Sequence, residues 1–261
     1  MKPKEVINAL SRKKQYKFPY IFFGLYLTFL LSTVCMANKL TLLGGFILPG
    51  GIFVFPFTFG ICDVLGEVYG YAYPRLIIWV GVIGELLFSL IVIAVSHTSS
   101  PEYFKAHEAY QVVFDPTIRY VLSGLAGLLV GEIINVYILA KLKIAARGKY
   151  YIPRSLISTA IGQALLTIIV DVLNYTWKMP MSDLTDMMLS GYAWKMSFAL
   201  LLAFPSWLLV KYLKKAEKID YYDINTNFNP FILSLEEDNH NYVIAKGKKN
   251  YSDIKFGETP D

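Results

Sequence analysis

Phe55 to Arg75 reads FPFTFGICDVLGEVYGYAYPR. Apolar residues dominate the stretch, yet Asp63 and Glu67 stand four residues apart, the spacing that puts two side chains on one face of a helix. A carboxylate in a membrane helix costs about 2.5–3.5 kcal/mol on insertion scales. Two on one face therefore require a partner, an aqueous cavity or a ligand. Whether they face a membrane at all is decided by the sequence around them.

That sequence is strongly apolar. Of 261 residues, 55% are hydrophobic, and the mean hydropathy of +0.43 exceeds that of ordinary soluble domains. The fold expected is all-α: a polytopic membrane protein with six transmembrane helices. They are predicted over residues 20–37, 45–70, 76–96, 117–140, 155–176 and 187–212, each long enough to cross a hydrocarbon core of about 30 Å. The second is expected to be irregular, because Pro49-Gly50-Gly51 and Pro56 interrupt it. Such backbone is tolerated at membrane depth only inside protein or beside water. A polar connector over 97–116 has room for an amphipathic surface helix.

Charge sets the orientation. The formal net charge is +5. Basic residues collect in the lead-in (1–19), at Arg75, in the 141–154 loop and at the exit from the last helix. The remaining loops hold few. Both termini are therefore expected in the cytoplasm, in a cell inner membrane. Residues 1–19 read as a basic cytoplasmic lead-in, 20–215 as the transmembrane domain and 216–261 as a polar, mostly disordered cytoplasmic tail, whose removal after Lys218 is expected to leave function nearly intact. No basic run interleaves with aromatics as a nucleic-acid platform needs. Cys35 and Cys62 offer neither zinc-ligand spacing nor a disulfide framework, so no metal and no cofactor is expected.

Polar residues inside the apolar segments are the candidates for function. Gln163, Thr167, Asp171 and Asn174 recur at i, i+4, i+8 and i+11, one stripe that must face the bundle interior. Glu132 and Asn135 share a neighbourhood on the fourth segment. Gly124, Gly127 and Gly131 lie at helical spacing on that segment and permit close helix packing. Several assignments stay open. Asp63 and Glu67 either take part in a ligand site or pair with Arg75 or Arg154, and Asp171 either contacts ligand or forms an ion pair with Lys195. Glu85 and Glu132 either carry a coupling proton or stay neutral and hydrogen-bonded. No nucleophile with a neighbouring base, GxSxG, Walker A or HExxH pattern is present, so an enzyme is not expected.

DxxxEVYG at Asp63 to Gly70, followed by Arg75, resembles the queuosine-precursor transporters, also called the vitamin uptake transporter (VUT) family. Asn38-Lys39, Pro49-Gly50-Gly51, Pro56-x-Thr58-Phe59 and RSLISTAIGQ (Arg154 to Gln163) before Asp171 sit where that family has them. The resemblance covers roughly residues 20 to 215. It implies the fold of the substrate-binding (S) subunits of energy-coupling-factor (ECF) transporters, and import of 7-cyano- or 7-aminomethyl-7-deazaguanine for queuosine in tRNA.

Such a base presents N1–H and an exocyclic NH2 side by side, and one carboxylate can accept from both. The substrate-binding candidates are Asn38, Asp63, Glu67, Glu132, Asn135, Gln163 and Asp171, with Arg75, Arg154 and Lys195 as gate or ion-pair residues. Phe57, Phe59, Tyr69, Trp79, Tyr175 and Trp194 supply aromatic faces. The expected partners are a deazapurine and the lipid bilayer; proton or ion coupling and a homo-oligomer stay open. The rival functions are uptake of another small planar vitamin, and an S-type subunit that needs a separate ATPase module.

Overall fold

Pro56–Tyr69 forms the central helix of the protein, whose computed structural model describes residues 16–37, 39–43, 46–224, 226–235 and 242–243. The chain runs as α1 (Pro19–Ala37), a hairpin of β1 (Leu40–Leu43) and β2 (Phe46–Pro49), one 3-10 turn (Gly50–Phe53), α2 (Pro56–Tyr69), α3 (Ala72–Ser96), α4 (His107–Phe114), α5 (Thr117–Ala145), α6 (Tyr151–Tyr175), α7 (Met181–Glu217) and two-residue strands β3 (Asp220–Tyr221) and β4 (Tyr242–Val243). Among the described residues six segments are long and apolar enough to cross a membrane, the second of them being the 3-10 turn with α2. The expected all-α, six-span class holds. α4 is the short surface helix in the polar connector and buries none of its residues.

Twelve of the 14 residues of α2 are buried, and it packs against α1, α3, α5 and α7, so the bundle is built around it. Pro56 opens the helix, where its fixed φ suits the first turn and its missing N–H is not needed. Gly70 closes it at φ +85°, a conformation open to glycine, and a Cβ there would lie 2.2 Å from the Tyr221 ring. The outer helices turn large apolar side chains outward, among them Leu87, Leu90 and Ile91 on α3 and Leu200, Leu201 and Phe204 on α7. A soluble monomer rarely exposes so broad a patch; a lipid-facing surface does.

The irregularity predicted for the second segment takes a form the sequence did not indicate. Leu40–Leu43 and Phe46–Pro49 pair as antiparallel strands in the register Leu40↔Pro49 to Leu43↔Phe46, so the start of that segment is strand, not helix. The strands satisfy each other's backbone groups, and the Gly50 N–H donates to the Lys39 carbonyl at 2.7 Å. Gly51 then lets the 3-10 turn lie on α1, since a Cβ there would come within 3.0 Å of Thr33.

α5 and α6 make the closest helix contact. A Cβ on Gly131 would lie 2.7 Å from the Gly162 carbonyl oxygen, and one on Gly127 would lie 2.5 Å from Val170. The small-residue stripe is therefore a packing surface at these two positions. Gly124 meets nothing within 4 Å and borders a cavity instead.

Beyond residue 215 the polar sequence has no apolar periodicity, yet residues 219–224 and 226–235 pack across the end of the bundle near Gly70. Asn38, most of the basic lead-in (1–15) and residues 236–241 and 244–261 lie outside the described residues.

Candidate functional site

A cavity of about 150 Å³ lies at the hairpin end of the bundle, bordered by α1, β2, the 3-10 turn, α3, α5, α6 and α7. That is the order of volume in which a protein interior holds a single aromatic ring. Val34, Leu48, Ile52, Leu128, Leu166 and Val170 give it apolar walls, and Phe55, Tyr120 and Tyr175 add aromatic ones. Its ionisable side chains, the phenols aside, are Glu85, Asp171 and Lys195. Asp171 and Lys195 are on neighbouring helices and each feels the other's charge, but they do not close into an ion pair. Lys195 Nζ instead donates to Thr167 Oγ1 at 2.8 Å, and Asp171 has no hydrogen-bond partner among the described residues. An acceptor and a donor thus face the same apolar space with capacity unused.

Lys195 also borders a second, smaller cavity of about 20 Å³ that reaches Phe59, Asp63, Ser155, Thr159 and Gln163. Asp63 is saturated there. It accepts from Asn135 Nδ2 at 2.7 Å, from Thr159 Oγ1 at 3.2 Å and from a very short Ser155 hydroxyl bond. Gln163 Oε1 is buried with no partner among the described residues. Glu132 belongs to a separate knot. It accepts from Tyr26 Oη at 2.6 Å, Thr58 Oγ1 at 2.9 Å and Cys62 Sγ at 3.5 Å, and it borders neither cavity. Thr58 and Cys62 are four apart on α2, one row round from Asp63 and Glu67.

Glu67 turns to the opposite end of the bundle from the hairpin. Arg154 meets it with both terminal nitrogens, Lys214 Nζ lies 2.7 Å from Oε1 and Lys143 Nζ lies 3.8 Å from the same oxygen. Lys143 and Lys214 also each hold Asp220 at 2.8 Å. Glu67 borders neither cavity.

Arg75 does not join this cluster. Its Nη1 donates to the Asn227 and Asn229 carbonyls and its Nη2 to that of Ser234, while Trp79 Nε1 donates to the Pro230 carbonyl at 2.7 Å. The Tyr71 N–H donates to Asp223 Oδ1 at 3.0 Å, and Phe228 packs on the Tyr71 ring. Burial pushes the Asp223 carboxyl above the usual carboxylate range and the Tyr71 phenol up to about 12. Arg75, Trp79 and Tyr71 thus clasp the segment that follows α7.

Of the residues singled out from sequence, Asp171, Lys195 and Tyr175 meet in the larger cavity, and Asp63, Gln163 and Phe59 border the smaller one. Asn135 holds Asp63, Arg154 holds Glu67, and Glu132 is held by its own three donors. Among the other aromatic candidates, Phe57 stacks on Phe29, and Tyr69 packs on Tyr16 and Tyr73. Trp194 borders neither cavity. Sequence reasoning missed Tyr120 and Phe55 as cavity aromatics, and Lys143 and Lys214 as partners of Glu67. The first pair flank Pro116 and Pro56 at helix ends, where aromatics ordinarily mark the membrane interface. The second pair stand far from Glu67 in sequence.

Residues 49–210, more than half of the chain, match the family model described as "Putative vitamin uptake transporter". No curated protein and no solved structure matches the chain.

Proposed function

The chain belongs to the vitamin uptake transporter family, and from that premise we propose that it imports a queuosine precursor, 7-cyano- or 7-aminomethyl-7-deazaguanine, across the cell inner membrane. The observation that carries this reading is the larger cavity, where an unpaired carboxylate and an ammonium face one aromatic-walled space. The two Asp171 oxygens suit the adjacent N1–H and NH2 of a guanine-like edge, and charge-assisted bonds of that kind are the strong ones. Lys195 suits the O6 acceptor, and Tyr120, Tyr175 and Phe55 suit the ring faces.

Lys195 borders both cavities, which makes it the natural hand-over point toward Gln163 and Asp63. The Glu67–Arg154–Lys214 cluster would then act as the gate at the far end, the cytoplasmic one if the basic loops face the cytoplasm. Labelled precursor, offered to cells that can neither make nor otherwise import it, tests the reading, with queuosine in their tRNA as the readout. Expression of this chain should restore the modified base. Normal membrane abundance without queuosine would contradict the assignment.

A further inference from the structure

Glu85 has no role in the reading given above. It is 4% exposed, its Oε2 has no hydrogen-bond partner among the described residues, and it borders the larger cavity from α3. Asp171 and Lys195 border the same cavity from α6 and α7. The ionisable groups here, phenols aside, are thus two carboxylates against one ammonium. An unpaired carboxylate away from water is costly, and the cost is removed either by uptake of a proton or by a cation placed against it. Among the described residues none forms an ion pair with Glu85, and the one cation bordering the cavity, Lys195, is shared with Asp171. The charged group that Glu85 feels from a packed neighbour is Glu132 on α5, an acid whose oxygens are already taken by Tyr26, Thr58 and Cys62. α1 brings Val34 and Thr33 to the cavity, the Thr33 hydroxyl donates to the Phe29 carbonyl at 2.8 Å, and Lys195 Nζ donates to Thr167.

We propose that Glu85 is the counter-ion for a protonated amine carried by the transported molecule, so that the site takes a small planar ring bearing an alkylammonium group. This rests on the reading of the larger cavity as the substrate site. It makes the aminomethyl deazaguanine the favoured substrate over its neutral cyano counterpart. A monocation would bring the site to neutrality, two carboxylates balanced by Lys195 and the ligand's ammonium.

The test compares paired ligands on the purified full chain. Calorimetry on the wild type should give at least roughly tenfold tighter binding of 7-aminomethyl- than of 7-cyano-7-deazaguanine. Glu85→Gln, which keeps shape and removes charge, should lower affinity for the amine roughly 10- to 150-fold and spare the nitrile. Equal affinity of the wild type for the two, or equal loss of both in Glu85→Gln, would overturn the inference. Benzylamine and benzonitrile form a second pair that does not depend on the deazapurine. In thermal-shift measurements at millimolar concentration, benzylamine alone should stabilise the wild type, and it should not stabilise Glu85→Gln. If the deazaguanines fail to bind while benzylamine behaves in this way, the charge assignment stands and the deazapurine reading falls. No discrimination in either pair removes Glu85 from any amine site.

Discussion

The Arg154 guanidinium meets the Glu67 carboxylate with two parallel bonds, Nη1 to Oε2 at 2.9 Å and Nη2 to Oε1 at 3.2 Å. Both side chains are at most 4% exposed, and Lys214 closes on the same carboxylate. Breaking such a buried pair from one side typically costs about 3–5 kcal/mol, because the remaining charge is stranded. Glu67→Gln should therefore lower membrane abundance and melting temperature, and Glu67→Gln with Arg154→Met should recover part of the loss. A Glu67→Gln protein of wild-type stability that fails only in ligand binding would move Glu67 into the substrate site.

Gly131 and Gly162 touch backbone to backbone, and a Cβ on either would fall within 2.7 Å of the other's carbonyl oxygen. Gly131→Ala must push α5 off α6, and forced overpacking costs about 1–3 kcal/mol. Gly124→Ala has open space and should be neutral in stability. Thermal unfolding of the two variants checks this, and equal melting temperatures would show the contact to be looser than described.

Truncation after Lys218 strips Arg75 of three carbonyl acceptors and Trp79 of its own. A buried hydrogen-bonding group left unpaired costs about 1–3 kcal/mol. The shortened protein should lose stability, in place of the nearly intact transport expected from sequence. Truncation after Leu235 keeps every one of these contacts and should melt higher than truncation after Lys218. Equal melting of the two would show that the clasp contributes nothing.

Orientation rests on the basic loops. Reporter fusions at Arg147 and Lys218 should report cytoplasm, and those at Lys105 and Lys178 the opposite side. A periplasmic signal at Arg147 would invert the direction assigned to the gate.

Much of this arrangement is written in local spacing. The i, i+4 pair Asp63 and Glu67 marked α2 as a helix with an interior polar face, and that helix is the centre of the bundle. Gln163, Thr167 and Asp171 formed a legible stripe, and Gln163 and Asp171 reach cavities while Thr167 holds Lys195. Asn174 shares the spacing but turns to Ser123 and the Val170 carbonyl, a choice made by the neighbouring helix. The division of labour between Asp63 and Glu67 was not legible, because it depends on residues 135, 143, 154, 159 and 214, brought in by three other helices. The hairpin was hidden because Phe46 to Pro49, apolar and followed by glycines, read equally well as the start of a broken helix, and Leu40 to Leu43 as the link before it. The clasp on the last segment was hidden because its acceptors are main-chain carbonyls of Asn227, Asn229, Pro230 and Ser234, which leave no side-chain pattern.

The most direct measurement is deazaguanine affinity in Asp171→Asn. Asp171 accepts no hydrogen bond from the described residues, so neutralising it breaks none, and Lys195 keeps its bond to Thr167 and the Glu85 carboxyl in the same cavity; the variant should stay close to the wild-type melting temperature. Its NH2 would oppose a substrate N–H, and losing one bond to a charged group costs about 1.5–3 kcal/mol, roughly 10- to 150-fold in affinity. Calorimetry on purified protein should therefore show at least a tenfold weaker dissociation constant with stability unchanged. Wild-type affinity in Asp171→Asn would remove this carboxylate from the site and contradict the reading of the larger cavity.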